Sequence, residues 1–380
     1  MDPFSALTPE QLEALLNGPA LAPPPGVIPR LVNPPSHRTA TFATAIASLV
    51  VATLVIMMRL YTRVSVVRKI SIADYSILIA WGCFVAFFGI WVVVGFWAPG
   101  IHQWDIRLKD VSTILYYAHV LTILYGPCCI FVKISILAQY IEIFLPTREP
   151  RKLYWSIIVL AVANFLYYVI TTFLEIFACT PIAKAWDPLI TDGHCINTLA
   201  LFVASSAVNT ASDLIILALP QTIIWRLNAS SKDKITVSFV FLVAIIACVS
   251  SAFRLVYAVM LQNQDDVIYY TWLAGIWSLP ELASGIMVAC LPVARKFAYR
   301  MFETRMFMGI ASSLGITLNN ASKSKITNVN SNHLSGSHRV IVSTHSGWAG
   351  RSYNGTDRKY GISGPFRSID EWELAGVPHA

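Results

Sequence analysis

The sequence predicts an all-α membrane protein, a bundle of seven transmembrane helices with its N-terminus outside and its C-terminus in the cytosol. Three observations carry that prediction. The 380 residues are 56% hydrophobic and 13% charged, whereas soluble domains average about 45–50% apolar and about 25% charged residues. The apolar residues fall in seven long blocks rather than in amphipathic stripes. Lys and Arg concentrate in alternate connections between those blocks. A net charge of +7 admits nucleic acid as a partner, but 11 of the 28 Lys and Arg lie beyond Ala294 and most of the others flank apolar blocks. That distribution fits the surface of a lipid bilayer and leaves no case for nucleic acid.

Residues 1–38 read as an extracellular proline-rich tail rather than a signal peptide, with Pro23, Pro24, Pro25, Pro29, Pro34 and Pro35 favouring extended backbone. Within it, Thr8 to Glu13 has the chemistry of a helix start and predicts one small surface helix. Residues 39–293 read as one seven-transmembrane domain, with blocks near 39–58, 73–97, 112–138, 153–178, 198–224, 236–261 and 268–293. Each is long enough to cross about 30 Å of hydrocarbon at about 1.5 Å per residue. The third can continue helically to Phe144. Trp97, Trp104, Trp155, Trp186, Trp225 and Trp272 fall near block ends, as an interfacial aromatic belt requires. In 294–311, Arg295, Lys296, Arg300 and Arg305 interleave with Phe297, Met301, Phe302 and Met306. This reads as a basic amphipathic juxtamembrane helix on the inner leaflet, or else as an extension of the seventh helix. Residues 312–380, rich in Ser, Asn and Gly, read as a disordered cytosolic tail.

Orientation follows from charge. The first loop (Arg59, Arg63, Arg68, Lys69), the third (Arg148, Arg151, Lys152), the fifth (Arg226, Lys232, Lys234) and the C-terminal tail hold 21 Lys and Arg together; the opposite side holds five. Cytosolic segments retain the excess, so the N-terminus faces outside, with the plasma membrane the expected location.

Ionisable residues inside the blocks are the candidate functional groups, because each costs about 2.5–3.5 kcal/mol at the bilayer centre on insertion scales. They are Lys133, Glu175, Asp213, Arg254 and Glu281. By depth, Lys133 pairs with Asp213, and Arg254 with Glu281 or Glu175. Asn209 and Asp213 are four apart and share a helix face, as do Trp277 and Glu281. Pro280 removes a backbone donor beside Glu281 and should kink the seventh helix. A ligand pocket among the third, fifth, sixth and seventh helices follows, lined by Lys133, Asn209, Asp213, Arg254, Trp277 and Glu281; a packed polar core is the alternative.

Five cysteines, Cys83, Cys128, Cys129, Cys248 and Cys290, lie in apolar blocks, where a thiol behaves as a small hydrophobe. Cys179 and Cys195 flank the loop CTPIAKAWDPLITDGHC on the outer, oxidising side. A disulfide between them is expected, worth roughly 3 kcal/mol. His102 and His194 also face outward, but two histidines without a further ligand do not make a metal site, and none is expected.

The stretches PPPGVIPRLVNPPS, RLYTR, Ala73-Asp74-Tyr75, GIHQWD, KISIL from Lys133, CTPIAKAWDP with GHC, SDLIILALP around Asp213, FRLVYAV around Arg254 and IWSLPELASGIMVACLP together resemble the fungal rhodopsin-domain family of integral membrane proteins. That family includes satratoxin-cluster membrane proteins and Pth-type receptor-like proteins. The chain departs from it at Gln139-Tyr140-Ile141-Glu142, where an acid stands in place of a usual cytosolic base, and lacks the cysteine-rich outer module of some Pth-type receptors. No retinal cofactor is expected, since 268–293 contains no lysine for a Schiff base. Neither Asp-Arg-Tyr after the third helix nor Asn-Pro-x-x-Tyr in the seventh is present, so coupling to a G protein has no motif support.

What the resemblance implies is an orphan seven-helix, receptor-like protein associated with secondary metabolism. Its partners would be the bilayer and a small apolar or amphipathic ligand. The alternative is a membrane-embedded cyclase or isomerase with Glu281 or Asp213 as proton donor to a lipophilic substrate. Asp265 and Asp266 are adjacent in a short loop and are not spaced for magnesium diphosphate. Transport is the weaker third reading, with no internal repeat evident.

Overall fold

A computed structural model describes residues 8–145, 148–224 and 231–303. The first helix, α1 (Pro9–Asn17), begins where the sequence predicts. The backbone N–H of Gln11 donates to Thr8 Oγ1 at 3.3 Å, and the N–H of Thr8 donates to Gln11 Oε1 at 3.0 Å. This reciprocal capping box satisfies two donors that the helix cannot, and Pro9 has no N–H to leave unpaired. The proline-rich stretch after α1 is pinned rather than free. Ala20 N–H donates to the Ile106 carbonyl at 2.9 Å, Leu108 N–H to the Gly18 carbonyl at 3.1 Å, and Arg30 N–H to Asp105 Oδ1 at 2.7 Å.

Among the described residues, seven helices long and apolar enough to cross a membrane follow. They are α2 (Arg38–Tyr61), α3 (Ile72–Trp97), α4 (Leu108–Phe144), α5 (Arg151–Ile176), α6 (Thr198–Ile224), α7 (Ser231–Gln262) and α8 (Val267–Glu303). Most ends lie within a few residues of the blocks read from the sequence, and the ends of the first and last helices need a fuller account. The first block was expected to end at residue 58, but α2 runs to Tyr61 and continues as a π-helical segment, Thr62–Val67, before Arg68 turns the chain with φ 54°. Arg59 and Arg63 are therefore helical and buried, not loop residues. Of the two readings of 294–311, the structure has the extension of the seventh helix as far as Glu303, where α8 runs without a break, and the remainder, 304–311, lies outside the described residues. The tail 312–380 and Trp225 also lie outside them.

The bundle is built around α8, which packs on α2, α3, α4 and α7. Of its apolar window 72% is buried in the bundle, against 22% for α5 at the periphery. Close packing is bought with small residues: a Cβ on Gly275 would stand 2.5 Å from the Trp91 ring of α3, and one on Gly285 would stand 2.8 Å from Val132 of α4. The outward faces are apolar, as at Leu54, Val159, Ile170 and Phe173. Such surface is a liability in water and is satisfied by lipid.

Between α5 and α6 two short strands, β1 (Cys179–Thr180) and β2 (His194–Cys195), pair antiparallel, and the expected Cys179–Cys195 disulfide joins them. Lys184 Nζ ties the loop across its middle by donating to the carbonyls of Thr191, Asp192 and Gly193 at 2.7, 3.2 and 3.0 Å. Gly193 has φ 90° and lies against the Thr180 carbonyl, so only glycine fits.

Candidate functional site

Five helices contribute to one chain of polar side chains through the bundle interior. Ser206, Asn209 and Asp213 recur at three and four residues on α6, which places them on one face. Lys133 Nζ of α4 lies 2.9 Å from Asp213 Oδ1 and donates to the Asn209 carbonyl at 3.3 Å. Asn209 Nδ2 donates to Asp213 Oδ2 at 3.2 Å and to Glu281 Oε1 of α8 at 2.6 Å. Arg254 of α7 donates from Nε to Glu281 Oε2 at 3.0 Å and from Nη1 to Ser206 Oγ at 3.0 Å. Tyr125 of α4 donates its hydroxyl to Glu281 Oε1 at 2.6 Å, and Tyr168 of α5 donates to Asn209 Oδ1. The same tyrosines face the cations, with Arg254 4.4 Å from the Tyr125 ring centroid and Lys133 5.3 Å from that of Tyr168.

Two cations thus meet two carboxylates, so the chain as ionised carries no net charge. A low-dielectric interior tolerates charge only in this paired, hydrogen-bonded form. Lys133 does not reach for an interface; it is buried on Asp213.

Cavities flank the chain. One of about 50 Å³ lies among α4, α6, α7 and α8, with Lys133, Asn209, Asp213 and Glu281 in its wall. A second, of about 70 Å³, lies toward the end that carries the disulfide loop, with Trp91, Tyr125, Glu175, Arg254 and Trp272 in its wall. A water needs about 10–15 Å³ of such space, and a cavity of about 150 Å³ admits benzene. Each cavity therefore has room for a few waters or a very small molecule.

Of the residues singled out in the sequence, Lys133, Asn209, Asp213, Arg254 and Glu281 come together. Trp277 does not join them. Its ring stacks on Phe253 of α7 at 4.4 Å, and it lines neither cavity. Sharing a helix face with Glu281 was not enough, because a face one residue wide at the backbone diverges by several ångströms at the tips of large side chains. Glu175 does not pair with Arg254; it lines the second cavity beside it. His102 is not a plain surface histidine. Its Nδ1 lies 2.6 Å from Asp266 Oδ2, and its ring is stacked between Trp104 and Tyr269.

Sequence reasoning missed a second ionic cluster at the opposite end of the bundle. Arg59 Nε donates to Asp74 Oδ1 at 2.8 Å and Nη1 to Gln139 Oε1 at 2.9 Å, with a further bond to the Ala289 carbonyl. Arg63 sits 3.2 Å from Asp74 and donates to both oxygens of Glu142, at 2.8 and 3.0 Å. The cluster joins α2, α3, α4 and α8. One signal could have found it: Gln139 and Glu142 are three apart on one helix face, and an acid stands at 142 where a base is usual. Its cation is Arg63.

Residues 58–300 match the family described as the fungal rhodopsin domain. The chain belongs to this family. The segments that carry the resemblance are also those that build the two clusters: RLYTR holds Arg59 and Arg63, KISIL begins at Lys133, and SDLIILALP, FRLVYAV and IWSLPELASGIMVACLP hold Asp213, Arg254 and Glu281. Among relatives of this fungal rhodopsin-domain protein, fugralins biosynthesis cluster protein 2 of Gibberella zeae is 29% identical over 80% of this chain and 75% of its own. A SAT4 family membrane protein of Emericella nidulans is 34% identical over 53% of this chain and 51% of its own. Receptor GIN3 of Arthrobotrys oligospora is 24% identical over 72% and 66%. No solved structure matches the chain significantly.

Proposed function

We propose that the protein is a receptor-like sensor of a small apolar or amphipathic molecule, set in the plasma membrane with the disulfide loop outside. One observation carries the reading: a continuous, neutral ionic chain ties α4, α6, α7 and α8 together, and Arg254, one of its members, is also a wall of the second cavity. A molecule contacting Arg254 would bear on pairs that set the relation of four helices, and a ligand shifts a conformational equilibrium only through such differential contacts. The disulfide loop fits an oxidising compartment, and the excess of Lys and Arg in the alternate connections fits the cytosolic side. Relatives named for a receptor and for a biosynthesis cluster support a role beside secondary metabolism.

The reading requires no retinal. By extending past residue 293, α8 gains Lys296, but fifteen residues separate it from Glu281, about 22 Å along the helix. A cyclase or isomerase is less well supported, because Glu281 accepts from three donors and Asp213 is held by Lys133 and Asn209, which leaves neither acid free for a substrate. Paired metabolite and transcript profiling of a deletion strain separates the two. Altered transcription without an accumulated precursor is the expected result; an accumulated precursor would replace the sensor with the enzyme.

A further inference from the structure

The second cavity holds three polar groups that the protein itself leaves unmatched. Arg254 is 3% exposed and Trp91 is 2% exposed. Arg254 uses Nε and Nη1 on Glu281 and Ser206, yet its Nη2 has no hydrogen-bond partner. Trp91 Nε1 has none either. A buried donor left unpaired costs about 1–3 kcal/mol, and here the two residues that carry such donors line one space of about 70 Å³. The Glu175 carboxyl, in the same wall, makes no hydrogen bond or ion pair among the described residues. Most of the remaining wall is apolar or aromatic, including Phe87, Phe202 and Trp272.

Charge narrows what would fit. The Arg254 guanidinium is already matched by Glu281, so an anion would bring an unmatched negative charge into the interior. A cation would sit against Arg254. A neutral group that accepts on one side and donates on the other satisfies all three polar atoms and creates no unpaired charge. The volume, about half of what benzene requires, sets a compact size.

We propose that this cavity binds a compact neutral molecule carrying a hydroxyl beside a carbonyl, with the carbonyl oxygen accepting from Arg254 and Trp91 and the hydroxyl donating to Glu175. The inference rests on the sensing reading only in treating the molecule as a signal; binding is measured separately. The test uses the full-length protein in lipid nanodiscs, with 2-hydroxyethanal, a hydroxycarbonyl of four non-hydrogen atoms and about half the volume of benzene, as probe and acetate and ethylamine as charged controls of similar size. Near ten times its Kd the hydroxyaldehyde should raise the unfolding midpoint by about 2–4 °C, with no such rise from either control. Glu175→Gln keeps the shape of the wall but replaces one carboxyl oxygen by an amide NH2 group, and Trp91→Phe deletes one donor. Each should weaken the apparent affinity about 3–10-fold, the worth of one hydrogen bond. No shift with the hydroxyaldehyde, equal shifts with all three probes, or unchanged affinity in Glu175→Gln overturns the site, whether or not Trp91→Phe folds. A hydroxyaldehyde shift without a transcriptional response in the deletion strain leaves the site standing and removes the sensor; the reverse pair of results does the opposite.

Discussion

Arg254 of α7 and Glu281 of α8 meet Nε to Oε2 at 3.0 Å with side chains only 3% and 5% exposed, and the same carboxylate accepts from Tyr125 and Asn209. Removing one partner of a buried pair typically costs about 3–5 kcal/mol, because the other charge stays buried and unmatched. Arg254→Ala and Glu281→Ala should each lower the folded, monodisperse yield and the unfolding midpoint. The double variant should recover part of the loss. Strictly additive losses in the double-mutant cycle would show that the two groups are uncoupled.

The Arg59 cluster should be as consequential. Arg59 spreads three contacts over α3, α4 and α8, from Asp74 to Gln139 and the Ala289 carbonyl. Lysine has the charge but not the planar fork, so Arg59→Lys should destabilise the protein measurably, and Arg59→Ala by about 3–5 kcal/mol. Glu142 is a half-exposed partner of Arg63, and Glu142→Gln should cost no more than about 1 kcal/mol. Thermal unfolding of the three variants in one detergent ranks them; a Glu142→Gln loss equal to that of Arg59→Ala would contradict the burial argument.

For the loop, non-reduced peptide mapping should recover Cys179 linked to Cys195, with Cys83, Cys128, Cys129, Cys248 and Cys290 as thiols. The bridge closes a separation of 16 residues, for which chain entropy gives about 3 kcal/mol. The Cys179→Ser, Cys195→Ser double variant should unfold at lower temperature than the parent, and added reductant should lower the parent's midpoint but leave the variant's unchanged.

Orientation is open to a direct check. Asn228-Ala-Ser, Asn320-Ala-Ser and Asn354-Gly-Thr are acceptor sequences for N-glycans, and all fall in segments assigned to the cytosol. Endoglycosidase treatment should leave the gel mobility of the expressed protein unchanged. Loss of a glycan traced to any one of the three would invert the topology.

The sequence alone determined the fold class, the number of spans, the disulfide and the family, because each is written in local terms. A span is a run of apolar residues, the disulfide joins the two cysteines outside such runs, and the family lies in short motifs. It also determined Lys133 with Asp213 and narrowed the partner of Arg254 to Glu281 or Glu175, because charges at matched depth in hydrocarbon have few partners to choose from; the structure settles it on Glu281. Only the tertiary structure decided the rest. Trp277 and Glu281 both meet α7, at Phe253 and Arg254, but only Glu281 also reaches Asn209 of α6 and Tyr125 of α4, and spacing along one helix does not fix which neighbours the tips of two large side chains reach. The end of α2 lay beyond its apolar run, since Arg59 and Arg63 remain helical only because Asp74, Gln139 and Glu142 receive them from α3 and α4. A charge at a block end reads as a loop residue until its partner, here 15 to 80 positions away in sequence, is brought against it.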